Sequence, residues 1–378
     1  MGDNKNLINW KRVIILAGAV IAFTIGSGFA TGQEIIQYYT AYGMKNFLVI
    51  AVFMITFLYY NFSFAKAGSE QKFAKANDIY RYYCGDYIGG FYDYYSTSFC
   101  YMSFWVMVGG AASTLNQEYG LPIWMGATIL TVMTVITVVG GLNSLVDAIG
   151  IVGPIVVVLC ITIGLITFVR DGSNISSGLE IIKNSAYEGA KAGESIKNAG
   201  ANWLISGLSY AGFVLLWFAS FTSALAIKNN KKDLQYGIIG GTLAICIAIA
   251  LVSFAQIANI NTSENGVYVW NAAIPNLILA TKIWRPFSSI FAMVVFAGIY
   301  TTAVPLLYNP VSRFSDEGTS KFRLLTIALG LIGLIVGLYL PFRVLVNIIY
   351  VLNGYVGALL LFFMLWKDIS IFRSKKNS

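Results

Sequence analysis

The stretch TIGSGFATGQE, residues 24–34, places Gly26, Ser27 and Gly28 inside an apolar run long enough to cross a bilayer. The chemistry open to such residues is that of the main chain. Glycine adopts dihedrals closed to other residues, and an interrupted helix bares N–H groups at the start of one half and carbonyls at the end of the other. The N–H groups near Ser27 and Gly28 would lie at the positive end of a half-helix starting about Phe29, where a carboxylate can dock without an arginine. The competing reading is packing, because Gly28 and Gly32 also form a small-xxx-small pair that lets two helices approach.

A second constellation lies in FAGIYTTAVPLLYNP. Thr301 and Thr302 follow Gly298 by three and four residues, so all three share one helical face. Pro305 has no N–H to offer the carbonyl of Thr301. Two hydroxyls and freed carbonyls suit a dehydrated alkali cation, although hydroxyls in spanning helices also bond to the preceding turn. A third stretch, WLISGLSYAGFVLLWFASFTSALAI, carries Ser206, Gly207, Ser209, Tyr210 and Gly212 near its middle and predicts a second interrupted helix. Tyr101, Phe104 and Trp105, with Tyr210, Phe213 and Trp217, are candidates to line a cavity whose aromatic faces suit an ammonium or an aromatic group.

Carboxylates inside a membrane are functional candidates by default. Glu34 follows the first break and is expected to face an aqueous pathway, while Asp93 and Glu118 are expected to be solvated near opposite interfaces. Asp147 lies near the start of a fifth span, where it favours the positive helix end, adds charge to a cation path or carries a proton. No lysine occurs between Asn143 and Val169.

The elements that must hold these groups are membrane spans. The 378 residues are 57% hydrophobic and 11% charged, with a mean hydropathy of +0.70, and this composition excludes an ordinary soluble domain. Apolar runs predict about ten spans, near 13–39, 45–65, 87–115, 121–139, 143–169, 202–227, 234–257, 285–311, 321–340 and 342–366. The alternating short segments of an outer-membrane barrel are missing. The chain contains no histidine, which excludes His-based catalysis and His metal sites. Its four cysteines, Cys84, Cys100, Cys160 and Cys246, have neither metal nor disulfide spacing. With no metal cluster and no nucleophile–base pair, an enzyme is not expected. The opening residues MGDNKNLINWKR show no cleavable signal. With the N-terminus inside, about two thirds of the 25 Lys and Arg fall on the cytoplasmic side. The net charge of +8 therefore reports orientation in a cytoplasmic membrane with both termini inside, and does not point to nucleic acid.

Ten spans divide into two halves: residues 1–170 as a first five-helix repeat, 171–201 as an extracellular connecting loop, and 202–378 as a second, inverted five-helix repeat. An odd number of spans per half inserts the two opening helices in opposite directions. Residues 13–39 would make a straight helix of about 40 Å, more than the hydrocarbon needs, which favours two shorter halves. In the 170–201 loop, Glu180/Lys183, Glu188/Lys191 and Glu194/Lys197 are spaced for a surface helix. Residues 258–284 are apolar but interrupted at Pro275, as in a lid-like helical hairpin.

IGSGF followed by small and polar residues resembles the first-helix signature of the amino acid–polyamine–organocation superfamily, and SYAGF is similar to the interrupted sixth helix of those transporters. GSGFATGQE and the chain length most resemble the YkvI-like bacterial membrane proteins. The resemblance implies the all-α LeuT fold, a five-plus-five inverted repeat with helices one and six broken. It implies a secondary transporter for an amino acid or related small amine. Gly26, Ser27 and Gly28 would then bind the substrate carboxylate, and the backbone around Tyr210, Ala211 and Gly212 the amino group. It further implies sodium held by carbonyls of Ala22 and Ile25 with Gly298, Thr301 and Thr302. A nutrient-sensing receptor on the same fold and a proton-coupled transporter or exchanger are the alternatives. Apart from lipid and the small substrate, no obligate protein partner is expected.

Overall fold

The computed structural model describes residues 8–73, 75–141 and 146–377, with side chains described outside 146–151 and 375–377. Among the described residues, nine helices are long and apolar enough to span a membrane. A tenth span is the interrupted opening segment, made of α1 (Trp10–Thr24), α2 (Ser27–Thr31) and α3 (Gln33–Tyr38). The others are α4 (Asn46–Gln71), α5 (Asp78–Tyr119), α6 (Ile123–Gly140), α7 (Val146–Asp171), α9 (Trp203–Lys228), α10 (Lys231–Ala258), α12 (Arg285–Phe314) and α13 (Ser320–Tyr339). The last span comprises α14 (Phe342–Leu345), a π-helical turn over Val346–Tyr350 and α15 (Val351–Asn377). Every span expected from the sequence is present.

Asparagine and threonine side chains start several of these helices by capping bare amide groups. Asn9 accepts from Arg12 N–H (3.1 Å), Asn202 from Ile205 N–H (3.0 Å), and Thr319 from Phe322 N–H (3.1 Å). Pro122 and Pro341 stand just before α6 and α14, where a missing N–H costs no hydrogen bond.

The opening span breaks twice. Ile25 and Gly26 are extended, as the sequence suggested, and Gly32 then takes a left-handed conformation with φ +83° between α2 and α3. The sixth span does not break: α9 is one continuous helix from Trp203 to Lys228. Its small residues serve helix crossings instead. A Cβ on Gly207 would lie 2.8 Å from the Val52 side chain of α4, and one on Gly212 would lie 2.1 Å from the Gly354 carbonyl of α15. From the other side, a Cβ on Gly357 would meet the Gly212 carbonyl at 1.9 Å. Two backbones touch here, a contact that only glycine permits on both sides.

The connections also depart from expectation. Between the fifth and sixth spans a 3-10 turn (Gly172–Asn174) leads into α8 (Ile175–Asn184), and Ser185, Gly189 and Gly193 then turn the chain with positive φ. The Glu188 and Glu194 pairs therefore belong to turns, with Lys191 N–H donating to the Glu194 carboxylate at 3.0 Å. Residues 258–284 form a two-stranded hairpin, β1 (Ser263–Glu264) against β2 (Val267–Tyr268), followed by α11 (Pro275–Ile283).

The start of α1 and the later part of α15 lie on one face, termed the terminal face. The Asn9 N–H donates to Asp233 (3.0 Å) at the start of α10, and Asp368 accepts from Tyr59 (2.9 Å) and Ser63 (2.7 Å) near the end of α4.

Candidate functional site

A vestibule of about 470 Å³ runs between α1, α5, α9 and α12. Asn77 and Asn309, near the terminal face, mark its mouth, and Gly26 at the first break marks its inner end. Phe23, Trp217 and Phe221 provide aromatic walls, while Ser96, Ser220, Thr301 and Thr302 supply hydroxyls. None of its lining side chains is charged. Its mouth is braced by Arg313, which pairs with Asp93 at 2.6 Å and lies over the Tyr94 ring at 4.7 Å. Asn77 donates to the same Asp93 carboxylate at 2.6 Å.

Beside the break lies a separate small cavity of about 20 Å³, lined by Ala22, Ile25, Gly26, Ala30, Gly153, Val156, Gly298, Thr301 and Thr302. All the residues named from the sequence as cation ligands meet there. The space suffices for one water-sized or ion-sized occupant. Thr301 and Thr302 both donate to the Gly298 carbonyl, at 3.0 and 2.9 Å. Each hydroxyl thus spends its hydrogen on the helix and leaves its oxygen lone pairs free to accept. The helix α1 ends at Thr24, so carbonyls of its last turn, Ala22 among them, have no partner further along the helix.

Glu34 is brought to the break, but not to the vestibule. It is 2% exposed, and its carboxylate accepts from the Tyr210 hydroxyl at 3.0 Å. The other oxygen folds back over the start of α2: a Cβ on Gly28 would lie 2.2 Å from Glu34 Oε1. The expectation that Glu34 faces water is therefore overturned, because Gly32 turns α3 so that its first residues point inward. Asp93 and Glu118 are likewise held by side chains rather than left to solvent; Glu118 accepts from Ser288 (2.9 Å) and Ser289 (2.6 Å). Asp147 lies outside the residues whose side chains are described.

Of the other residues expected at the ligand site, Gly26 and Trp217 line the vestibule. Ser27 is wholly buried with no partner for its hydroxyl, and Gly28 is covered by Glu34. Tyr210 faces the break, but Ala211 and Gly212 sit within the unbroken α9, where Gly212 packs on α15. Their main chain is not bared, so it cannot receive an amino group as expected. Tyr101 points the other way and donates to the Leu329 carbonyl of α13 at 2.8 Å. Phe104 and Trp105 turn to the same helix, where Gly333 makes room for them. The faces of α5 differ by helical periodicity: Phe99, stacked on Trp217 at 5.2 Å, and Met107, at 3.4 Å from a Cβ on Gly26, are the residues that face inward.

Away from the terminal face the site is closed. An aromatic layer of Tyr38, Tyr39, Phe53, Tyr210, Phe213 and Tyr350 covers Glu34. Above it, amides join the elements. Gln37 donates to the Arg343 carbonyl (3.0 Å) and accepts from Asn347 (2.9 Å), and Gln117 both donates to and accepts from the Ile274 backbone (2.9 and 3.0 Å). The break at Gly32 has its own seal. Gln256 donates to the Gly32 carbonyl (3.0 Å), and Asn276 donates to that of Ala30 (3.2 Å). These amides were missed in the sequence, where the signal was Gln and Asn inside apolar segments.

No family profile matches the chain. Over 354 residues it is 21% identical to the uncharacterized membrane protein YkvI of Bacillus subtilis, covering 91% of this chain and 94% of that one. A match to the uncharacterized protein YyaD of the same organism is 28% identical over 120 residues, about a third of either chain. Among solved structures, a mutant form of the manganese transporter of Eremococcus coleocola superimposes with a TM-score of 0.53 at 15% identity, covering 97% of this chain and 80% of that one. MhsT in complex with L-phenylalanine gives a TM-score of 0.53 at 15% identity over 92% and 87% of the two chains. With a span unwound beside an ion-sized cavity and this agreement over nearly its whole length, the chain is an all-α polytopic membrane protein of the LeuT fold.

Proposed function

We propose that this protein is a secondary transporter that moves an amino acid or related small amine across the cytoplasmic membrane by alternating access, with sodium as the coupling ion and both termini cytoplasmic. One observation carries the reading: a vestibule that reaches from exposed Asn309 to Gly26 ends at unwound backbone, and an ion-sized cavity adjoins that same backbone. In this arrangement the terminal face is the open side, and the amide and aromatic layers close the other. Sodium would bridge the end of α1 to α12 through Ala22, Ile25, Gly298, Thr301 and Thr302. An ion that binds one conformation better than the other shifts the balance between them, which is the basis of coupling.

Of the two solved neighbours, one is named for manganese and the other holds L-phenylalanine, so the fold is compatible with different cargoes. The aromatic walls of the vestibule and the lack of a His/Cys/Asp/Glu metal cluster among the described residues favour an organic ligand. Uptake of labelled amino acids and amines into proteoliposomes, with a sodium or a potassium gradient, is the test. Accumulation driven by inward sodium is expected. Background uptake of a broad panel under every gradient would refute transport, and saturable binding without flux would identify a receptor instead.

A further inference from the structure

We infer that Glu34 acts as the site's own resident carboxylate, so that the preferred ligand is a cationic amine lacking an α-carboxylate. This rests on the reading of the break as the ligand site, and it adds a residue that sets specificity there. The position over the Gly28–Phe29 backbone, where an amino acid's carboxylate would dock, is filled by the chain itself: the Glu34 carboxylate lies against Gly28 and is held by Tyr210 at 3.0 Å.

Three features of the surroundings favour a cation. Among the described residues, no lysine or arginine pairs with Glu34; the ion pairs are Arg81–Asp86, Lys282–Asp171, Arg285–Glu264 and Arg313–Asp93. A buried carboxylate without a cation is costly, and an incoming ammonium relieves that cost. Trp217 lines the vestibule and offers an ammonium its ring, and the wholly buried Phe213 (5.4 Å from Trp217) and Tyr210 (4.9 Å from Phe213) fill the space between it and Glu34. The buried hydroxyls of Ser27 and Tyr350 lie near each other with no other partner, and each can accept from an N–H. A zwitterion would bring a second carboxylate beside Glu34, and the vestibule lining offers it no positive side chain.

The test uses full-length protein in detergent and probes that differ only at the two charged groups. One set is 2-phenylethylamine, L-phenylalanine and 3-phenylpropionate; the other is isoamylamine, L-leucine and 4-methylpentanoate. Ligand-induced thermal shifts should give the amines at least tenfold tighter binding than the matching amino acids, with no binding of the acids. Glu34→Gln should abolish that preference, and Glu34→Asp, which keeps the charge, should retain it. Equal binding of amine and amino acid by the unaltered protein would overturn the inference even if Glu34→Gln failed to fold. So would a preference that survives in a folded Glu34→Gln protein. Either result leaves the break standing as a ligand site. Silence from all six probes would count against the site itself.

Discussion

Replacing Gly357 by alanine tests how the sixth span is used. The new Cβ would lie 1.9 Å from the Gly212 carbonyl oxygen and 2.4 Å from its carbon. Carbon and oxygen settle at about 3.3–3.6 Å, so α9 and α15 must separate by roughly 1.5 Å at their crossing. The obstructing atoms are backbone, and no side-chain rotation relieves them. Overpacking of this kind costs about 1–3 kcal/mol and occasionally more. At about 2–4 °C per kcal/mol for medium-sized domains, and less for longer chains, the apparent melting temperature should fall by several degrees. Gly18→Ala is the control: it lies within α1 with nothing within 4 Å of the added methyl, so it should be neutral or stabilising by about 0.5–1 kcal/mol. Tryptophan-fluorescence melts in detergent read both variants. Were Gly357→Ala to melt like the unaltered protein, the glycine contact would not be holding these helices together, and a hinge in the sixth span would return as the explanation.

Three further outcomes follow from the geometry. Thr301→Val and Thr302→Val each remove one oxygen from the small cavity while keeping side-chain shape; a charge-assisted contact of about 1.5–3 kcal/mol predicts a tenfold or greater rise in the sodium needed for half-maximal stabilisation, with melting in potassium as the reference. Asn276→Leu leaves the Ala30 carbonyl without its donor and should cost about 1–3 kcal/mol, seen as faster hydrogen exchange in α2 and α3. Cys100 lines the vestibule whereas Cys160 is fully buried, so a maleimide applied from the terminal face should label Cys100 first, and a bound ligand should slow it.

The spans were legible because each is a long apolar run between polar caps, and bilayer thickness sets their length. The first break was legible because Gly26 and Gly28 flank a serine in a run too long for one straight helix. The part of the small cavity that α12 lines was legible for a similar local reason, since Gly298, Thr301 and Thr302 occupy one face regardless of what surrounds them. The sixth span misled because small residues look alike whether they unwind a helix or let two helices touch; only the partners, Gly354 and Gly357, decide, and they lie more than a hundred residues away. Tyr101 misled for the same reason, because an aromatic stretch does not reveal which face meets α13. Gly32 was read only as half of a packing pair, and its left-handed turn is what carries Glu34 inward.

The layer that seals the far side is built of amides, Gln37, Gln117, Asn276, Gln256 and Asn347, with the Arg343 guanidinium beside them. Parting neutral amides carries no formal charge through the electric field across the bilayer, where each elementary charge counts for about 2.3 kcal/mol per 100 mV. Membrane voltage would therefore act on the cycle mainly through its passengers, the ion and the ligand, and through whatever distance Arg343 travels.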